Sequence, residues 1–150
     1  MKFRLGLTAG AMALAVLSAG TAGAQAVPRN WERGPVTMIQ QIEVKPGQFN
    51  AYMQDLAKGW RMQMEEGKRA GAILAYSIEQ PVDPRAGEPN LVLVTVFKDM
   101  ASVNRPLAEG EKSTAALYGS LDQAHDMQMK RESMRTIKGS LLLQGIEFIK

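Results

Sequence analysis

The segment 91–97 constrains the fold more than any other part of the sequence, because it is apolar at nearly every position. Apolar side chains occupy both of its parities: Leu91, Leu93 and Phe97, and Val92, Val94 and Val96. Successive side chains of a strand point to opposite faces, so both faces of this strand are apolar. Residues 140–149 show the same property. A sheet built from such strands must be covered on both faces.

The first half of the chain alternates between strand and helix patterns. Residues 36–45 predict a strand that ends at Pro46-Gly47. Residues 72–80 predict a second strand, and a loop rich in Pro and Gly joins it to the third at 91–97. The segment between the first two strands has an apolar side chain every three or four residues, as an amphipathic helix does: Phe49, Tyr52, Met53, Leu56, Trp60 and Met64.

The second half continues this alternation. Asp99 is expected to cap a short turn through Val103. A longer helix is predicted over 111–133, and a fourth strand over 140–149.

The order β-α-β-β-α-β predicts an α+β, ferredoxin-like fold, in which two helices cover one face of a four-stranded antiparallel sheet. One helical layer leaves the second apolar face bare. Stacking a second copy sheet to sheet is the simplest cover, at about 25 cal/mol per Å² of apolar area buried. We therefore predict a homodimer with two-fold symmetry.

Residues 1–26 have the order of a secretory signal peptide. Lys2 and Arg4 precede an apolar run that is too short for a membrane span, and small residues follow up to Ala26. Cleavage is expected after Ala24 or Ala26, which leaves 27–35 as an irregular lead-in and 36–150 as a single domain. We expect a periplasmic or secreted protein without a stable membrane anchor after cleavage.

Composition excludes several classes of site. The chain has no cysteine and one histidine, which excludes disulfides, thiol catalysis, Cys-based metal sites and His-rich zinc sites within one chain. Removal of Lys2 and Arg4 leaves 16 basic against 15 acidic side chains. A chain so nearly neutral is not expected to bind nucleic acid.

The order of these motifs resembles a known group. The first strand is followed by Lys45-Pro46-Gly47-Gln48-Phe49, an amphipathic helix, a strand, and then Leu91-Val92-Leu93-Val94-Thr95-Val96-Phe97-Lys98-Asp99-Met100. This pattern, over about residues 36–149, is similar to the dimeric α+β barrel superfamily, and within it to the antibiotic-biosynthesis-monooxygenase-like branch.

The resemblance implies a barrel made of two sheets, with a pocket between sheet and helices in each subunit. The superfamily includes cofactor-free oxygenases, haem-handling enzymes, isomerases and members without demonstrated activity. Most of its oxygenases are cytoplasmic, so the signal peptide is a departure. No catalytic constellation of the group matches this sequence residue by residue.

His125 is the single histidine, and histidine normally titrates near neutral pH. On the predicted second helix it follows Tyr118 by seven residues and Leu121 by four, so the three should share one face. His125 and Tyr118 are therefore candidate catalytic, proton-handling groups, and His125 is also a candidate haem ligand. The interpretation that we favour is a helix histidine at the border between core and solvent.

The tripeptides Met62-Gln63-Met64 and Met127-Gln128-Met129 occur one in each predicted helix. Thioether sulfur suits Cu(I). Residues two apart on a helix point about 160° away from each other, so neither tripeptide can hold one ion there. His125 and Met129, four apart, could do so. We favour core packing for the methionines over a metal site.

Tyr52, Trp60 and Tyr76 are candidates to line a pocket for an apolar or aromatic ligand. Tyr52 and Trp60 lie on the apolar stripe of the first helix, and Tyr76 lies on a neighbouring strand. Aromatic residues at this spacing also serve simply as core, and that alternative stays open.

The sequence predicts a binding function more readily than a reaction. No Gly-rich phosphate loop is present, and we expect no resident cofactor. We predict a protein that binds a small apolar or aromatic ligand, or a dimeric interaction module. The alternative is a cofactor-independent monooxygenase-like or isomerase-like enzyme. A third hypothesis is haem or copper binding through His125 and Met129.

Overall fold

The computed structural model describes residues 27–149. The predicted signal peptide therefore lies outside the described residues. The elements follow in this order: β1 Trp31–Val44, α1 Phe49–Lys58, α2 Trp60–Arg69, β2 Ile73–Glu79, β3 Leu91–Phe97, α3 Met100–Val103, α4 Leu107–Tyr118, α5 Leu121–Met134 and β4 Arg135–Phe148. Within this part of the chain, no helix is both long and apolar enough to cross a membrane.

The four strands form one antiparallel sheet in the order β2-β3-β1-β4. This is the strand order of the ferredoxin-like fold, and the predicted α+β class is confirmed. β3 has the bounds that the sequence predicted, Leu91–Phe97. β2 and β4 are the edge strands, so β4 has a neighbour on one side only.

The register of the strands divides the apolar side chains between two faces. One face carries the core, and its buried residues come from the sheet and from α1, α2 and the end of α5: Ile42, Val44, Ile73, Leu91, Leu93, Tyr52, Leu56, Trp60, Met64 and Met134. On the other face, which we call the open face, Ile39 lies opposite Val94 on one side and Leu141 on the other. Leu141 is 49% exposed there.

The predicted irregular lead-in at 27–35 is wrong for its second half, because β1 begins at Trp31. Pro35 suggested irregular structure, but it lies in a register shift between Arg33 and Val36. β3 pairs with β1 only from Val36 onward, so no neighbour on that side needs the N–H that proline lacks.

Each long helix of the prediction is two helices in the structure. Gly59 separates α1 from α2, and Gly119 separates α4 from α5. Gly119 has φ +89°, a backbone conformation that residues with a Cβ rarely adopt. The next residue, Ser120, caps α5, because its hydroxyl accepts a hydrogen bond from Gln123 N at 3.1 Å. The apolar spacing runs through both breaks, so periodicity alone could not locate them.

The fourth strand begins at Arg135, five residues before the predicted start. The predicted cap is confirmed, since the Asp99 carboxylate accepts from Ser102 N at 2.8 Å. Hydrogen bonds from the Ser102 hydroxyl and from Ser102 N hold the pKa of the Asp99 carboxyl below its ordinary value.

A buried polar contact joins α1 to the start of β4. The Arg135 guanidinium donates from Nη1 to the Tyr52 hydroxyl at 2.9 Å and lies over the Tyr52 ring. Tyr52 is fully buried and Arg135 is 9% exposed. Burial raises the pKa of Tyr52, although the Arg135 charge and hydrogen bond oppose that rise.

We expect Tyr52→Phe to lower the free energy of unfolding by about 1–3 kcal/mol, because Arg135 loses a buried acceptor. Tyr52 stabilises the fold in its protonated form, and its folded pKa is raised. Its contribution is therefore intact below pH 10, near the ordinary tyrosine value, and decreases as the pH rises above it. Urea unfolding between pH 8 and about 11 measures both effects.

In this experiment the wild type should lose more stability above pH 10 than Tyr52→Phe does. Tyr118→Phe is the control, because it removes the hydroxyl of a half-buried tyrosine outside the core. If the free energy of unfolding falls with pH equally in the wild type and in Tyr52→Phe, the assignment of a raised pKa to the buried hydroxyl is contradicted.

Candidate functional site

A cleft of about 290 Å³ opens between α2, α4 and α5. Its wall combines hydrogen-bonding side chains with a smaller apolar part: Gln63, Thr114, Tyr118, His125, Gln128 and Arg131, and Leu121, Ala124 and Met127. We call this space the polar cleft. Small-molecule sites are usually lined mostly by apolar side chains, so a wall as polar as this one suits the polar end of a ligand.

The structure brings the two candidate catalytic residues together in the polar cleft. Tyr118 is the last residue of α4, and His125 lies in the second turn of α5. Both line the cleft with Leu121, as their spacing predicted, although the chain turns at Gly119 between them. Their catalytic role stays a prediction.

Sequence reasoning missed the charged pair behind the cleft. Arg131 Nε donates to Asp55 Oδ2 at 2.6 Å, with the two side chains 13% and 8% exposed. Burial disfavours the charge on Arg131, but the hydrogen bond and the charge of Asp55 outweigh it and the pKa of Arg131 is raised. Arg131 is thus held as a cation and fixed in orientation by α1.

Gly59 makes room for this arrangement. A Cβ built on Gly59 would lie 2.7 Å from Arg131 Nη2 and 3.3 Å from the Tyr118 hydroxyl. The guanidinium and the hydroxyl therefore converge on the same place, beside the break between α1 and α2. A larger residue at position 59 would have to displace one of them.

The polar cleft is equipped to bind an oxygen acceptor. Arg131 uses Nε on Asp55, and its two Nη groups carry four more N–H donors. The Tyr118 hydroxyl and the Gln63 amide can also donate. The His125 imidazole adds a nitrogen that can donate or accept a hydrogen bond. A phenol, carboxylic acid or enol oxygen could be bound, and its proton exchanged, by these groups.

The three predicted pocket aromatics lie elsewhere. Tyr52 is fully buried and Trp60 is 7% exposed, so both belong to the core. Trp60 packs edge to face on Tyr76, with ring centroids 5.3 Å apart. None of the three lines the polar cleft.

Tyr76 has a polar partner on α2. Its hydroxyl donates to the Glu65 carboxylate. This hydrogen bond raises the pKa of Tyr76 and lowers that of Glu65. The contact holds the edge strand β2 against α2.

His125 and Met129 do not share the polar cleft in the structure. His125 lines it, whereas Met129 is 57% exposed and does not. Across residues 27–149, no group of three or more His, Asp or Glu side chains lies close enough together to hold a metal ion. Metal binding through this pair stays a prediction.

A sequence signal for Arg131 did exist. Leu121, Ala124 and Gln128 lie along one side of α5, and Arg131 continues that series three residues later. A charged residue that continues a partly apolar stripe needs a partner. Nothing local could identify Asp55 as that partner, because 76 positions separate the two.

No family model matches the sequence, and no curated protein matches it. Solved structures do match. HapK from Hahella chejuensis is 11% identical with a TM-score of 0.49, over 73% of this chain and 91% of that one. A dimeric ferredoxin-like protein from an uncultured marine organism is 10% identical with a TM-score of 0.47, over 79% and 94%.

A proposed antibiotic biosynthesis monooxygenase from Chloroflexus aurantiacus is 16% identical with a TM-score of 0.43, over 74% of this chain and 92% of that one. Two of these three proteins are described as a dimeric ferredoxin-like protein and an antibiotic biosynthesis monooxygenase. At such identities and TM-scores the similarity is one of fold, and the chemistry of this chain must be argued from its own residues.

We expect Asp55→Ala to cost about 3–5 kcal/mol of folding free energy, because it leaves Arg131 buried without a partner. The double substitution Asp55→Leu with Arg131→Met should recover most of this loss, since an apolar pair of similar size removes both charges. Chemical denaturation of the wild type and the two variants measures these changes in the free energy of unfolding. A double variant as unstable as Asp55→Ala would contradict the role of the ion pair.

Proposed function

We propose that this protein, exported and homodimeric, binds a small aromatic molecule that carries an acidic oxygen, such as a phenol or a carboxylic acid. The observation that carries the proposal is the convergence of Arg131, Tyr118 and Gln63 donors on one cleft that also has an apolar wall. The volume of the polar cleft, about 290 Å³, suits a molecule of one or two rings.

The ion pair supports binding through preorganisation. Asp55 holds the Arg131 guanidinium in place before a ligand arrives, so little side-chain entropy is lost on binding. The Asp55 charge also balances that of Arg131, so the cleft recognises an oxygen acceptor through hydrogen bonds more than through net charge.

A reaction on the bound molecule is the second candidate function. His125 is a proton acceptor in the same cleft as the donors Tyr118 and Arg131. It could remove the proton of a bound phenol or enol while those donors stabilise the oxygen, which is the first step of a cofactor-independent oxygenation or isomerisation. His125→Ala separates the two functions, because it should abolish turnover and leave binding nearly intact.

We expect the mature protein to bind 2-naphthoate, followed by the fluorescence of the ligand. Replacing both Asp55 by Leu and Arg131 by Met should weaken binding about tenfold to a hundredfold, because hydrogen bonds to a charged group are lost. Arg85→Met is the matched control, since Arg85 is an exposed arginine in the β2–β3 loop. Equal binding by both variants, or none by the wild type, would refute the proposal.

The open face supports the proposed homodimer. Ile39, Val94 and Leu141 lie side by side across three strands, and Leu143 extends this patch along the edge strand. Leu141 and Leu143 are each 49% exposed in a single copy. A second copy that stacks its open face on this one would remove both patches from water.

We expect Leu141→Lys to raise the dissociation constant of the dimer at least about a hundredfold, since a two-fold interface contains each substitution twice. Val82→Lys is the control, because Val82 is fully exposed in the β2–β3 loop. Analytical ultracentrifugation of the mature wild type and of the two variants measures their dimer dissociation constants. A monomeric wild type would refute the dimer, and a Leu141→Lys dimer would refute this interface.

A further inference from the structure

A second cavity lies on the other side of α4. Its volume is about 270 Å³, and its floor is apolar, formed by Met64, Ile73 and Phe97. We call it the inner cavity. Met64 and Ile73 are themselves core residues, so this space reaches the hydrophobic centre of the domain.

The inner cavity and the polar cleft share part of their walls. Gln63 of α2 and Thr114 of α4 line both of them. The two spaces are therefore neighbours along α2, and α4 alone lies over the boundary between them.

α4 covers this boundary loosely. None of its residues is buried, and no side chain caps its N-terminus at Pro106. Its C-terminus ends at Gly119, where φ is positive. A further cavity also borders α4, between Leu117 and residues of α2 such as Arg61 and Glu65. A helix with free space on both flanks can shift without breaking core contacts.

We infer that the two cavities form one elongated binding site, and that its ligand is an aryl-alkyl molecule with an acidic oxygen at one end. The acidic oxygen binds to Arg131 and Tyr118 in the polar cleft, and the apolar body lies beneath α4 on Met64, Ile73 and Phe97. This inference rests on the proposed function and names the ligand class of the same site.

The charges at the two ends give the ligand its direction. Donors converge in the polar cleft, where Arg131 is fixed by Asp55. In the wall of the inner cavity, Glu66 pairs with Arg69 at 2.6 Å, and Arg105 is exposed, with no ion pair among the described residues to fix its guanidinium. This wall is therefore less preorganised for an acidic oxygen than the polar cleft is. The apolar floor between the ends suits methylene or ring carbons.

The experiment measures the affinity of the mature protein for a series of ω-phenylalkanoates, from phenylacetate to 8-phenyloctanoate, by calorimetry. Each added methylene that enters the inner cavity should tighten binding by about fourfold, until the cavity is full.

Gly110→Phe is the variant that tests where the chain lies. Gly110 lines the inner cavity, and a Cβ built there meets nothing within 4 Å. The added ring should therefore fill space without a clash, and the dependence on chain length should disappear while phenylacetate binding stays unchanged. Ala108→Phe adds the same ring at an exposed position of α4 and should keep the dependence.

The outcomes separate this inference from the proposed function. If phenylacetate and 2-naphthoate bind but affinity does not change with chain length, the elongated site is wrong and the polar cleft stands. The elongated site is also wrong if affinity still increases with chain length in Gly110→Phe. If no member of the series binds and 2-naphthoate does not bind, the proposed function fails, and the inference fails with it.

Discussion

The buried ion pair between Asp55 and Arg131 holds α5 in place. α5 has one buried residue, Met134, at its last position, so apolar burial contributes little to fixing the rest of the helix. Tyr52 and Asp55 lie one turn apart on α1, and they bind Arg135 and Arg131, which are four residues apart. Two arginines thus attach α5 and the start of β4 to α1.

This mode of attachment explains why the helical layer is not filled. Where apolar side chains interdigitate, as beneath α1 and α2, the interior closes to about the density of an organic crystal. A helix held at a distance by arginine side chains leaves room beside it. The polar cleft and the inner cavity both border α4, which no buried residue anchors. The polar attachment of α5 therefore accounts for the space in the polar cleft, and the lack of buried residues in α4 accounts for the inner cavity.

Periodicity predicted those parts of the fold that depend on near neighbours in sequence. Both ends of β3 were predicted correctly, because its apolar run is bounded by polar residues on both sides. The breaks at Gly59 and Gly119 were not predictable in the same way, since the apolar stripe continues through them. His125 and Tyr118 were placed on one face by spacing alone. The pairing of Asp55 with Arg131 depends on how two distant helices cross, which no local pattern records.

The position of β4 has a consequence for how the chain is made. β1 lies inside the sheet, and one of its two neighbours is β4, which comes from the opposite end of the sequence. On this side β1 therefore remains unpaired until β4 has been synthesised. Pairing across nearly the whole chain carries a large loop-closure cost and slows folding.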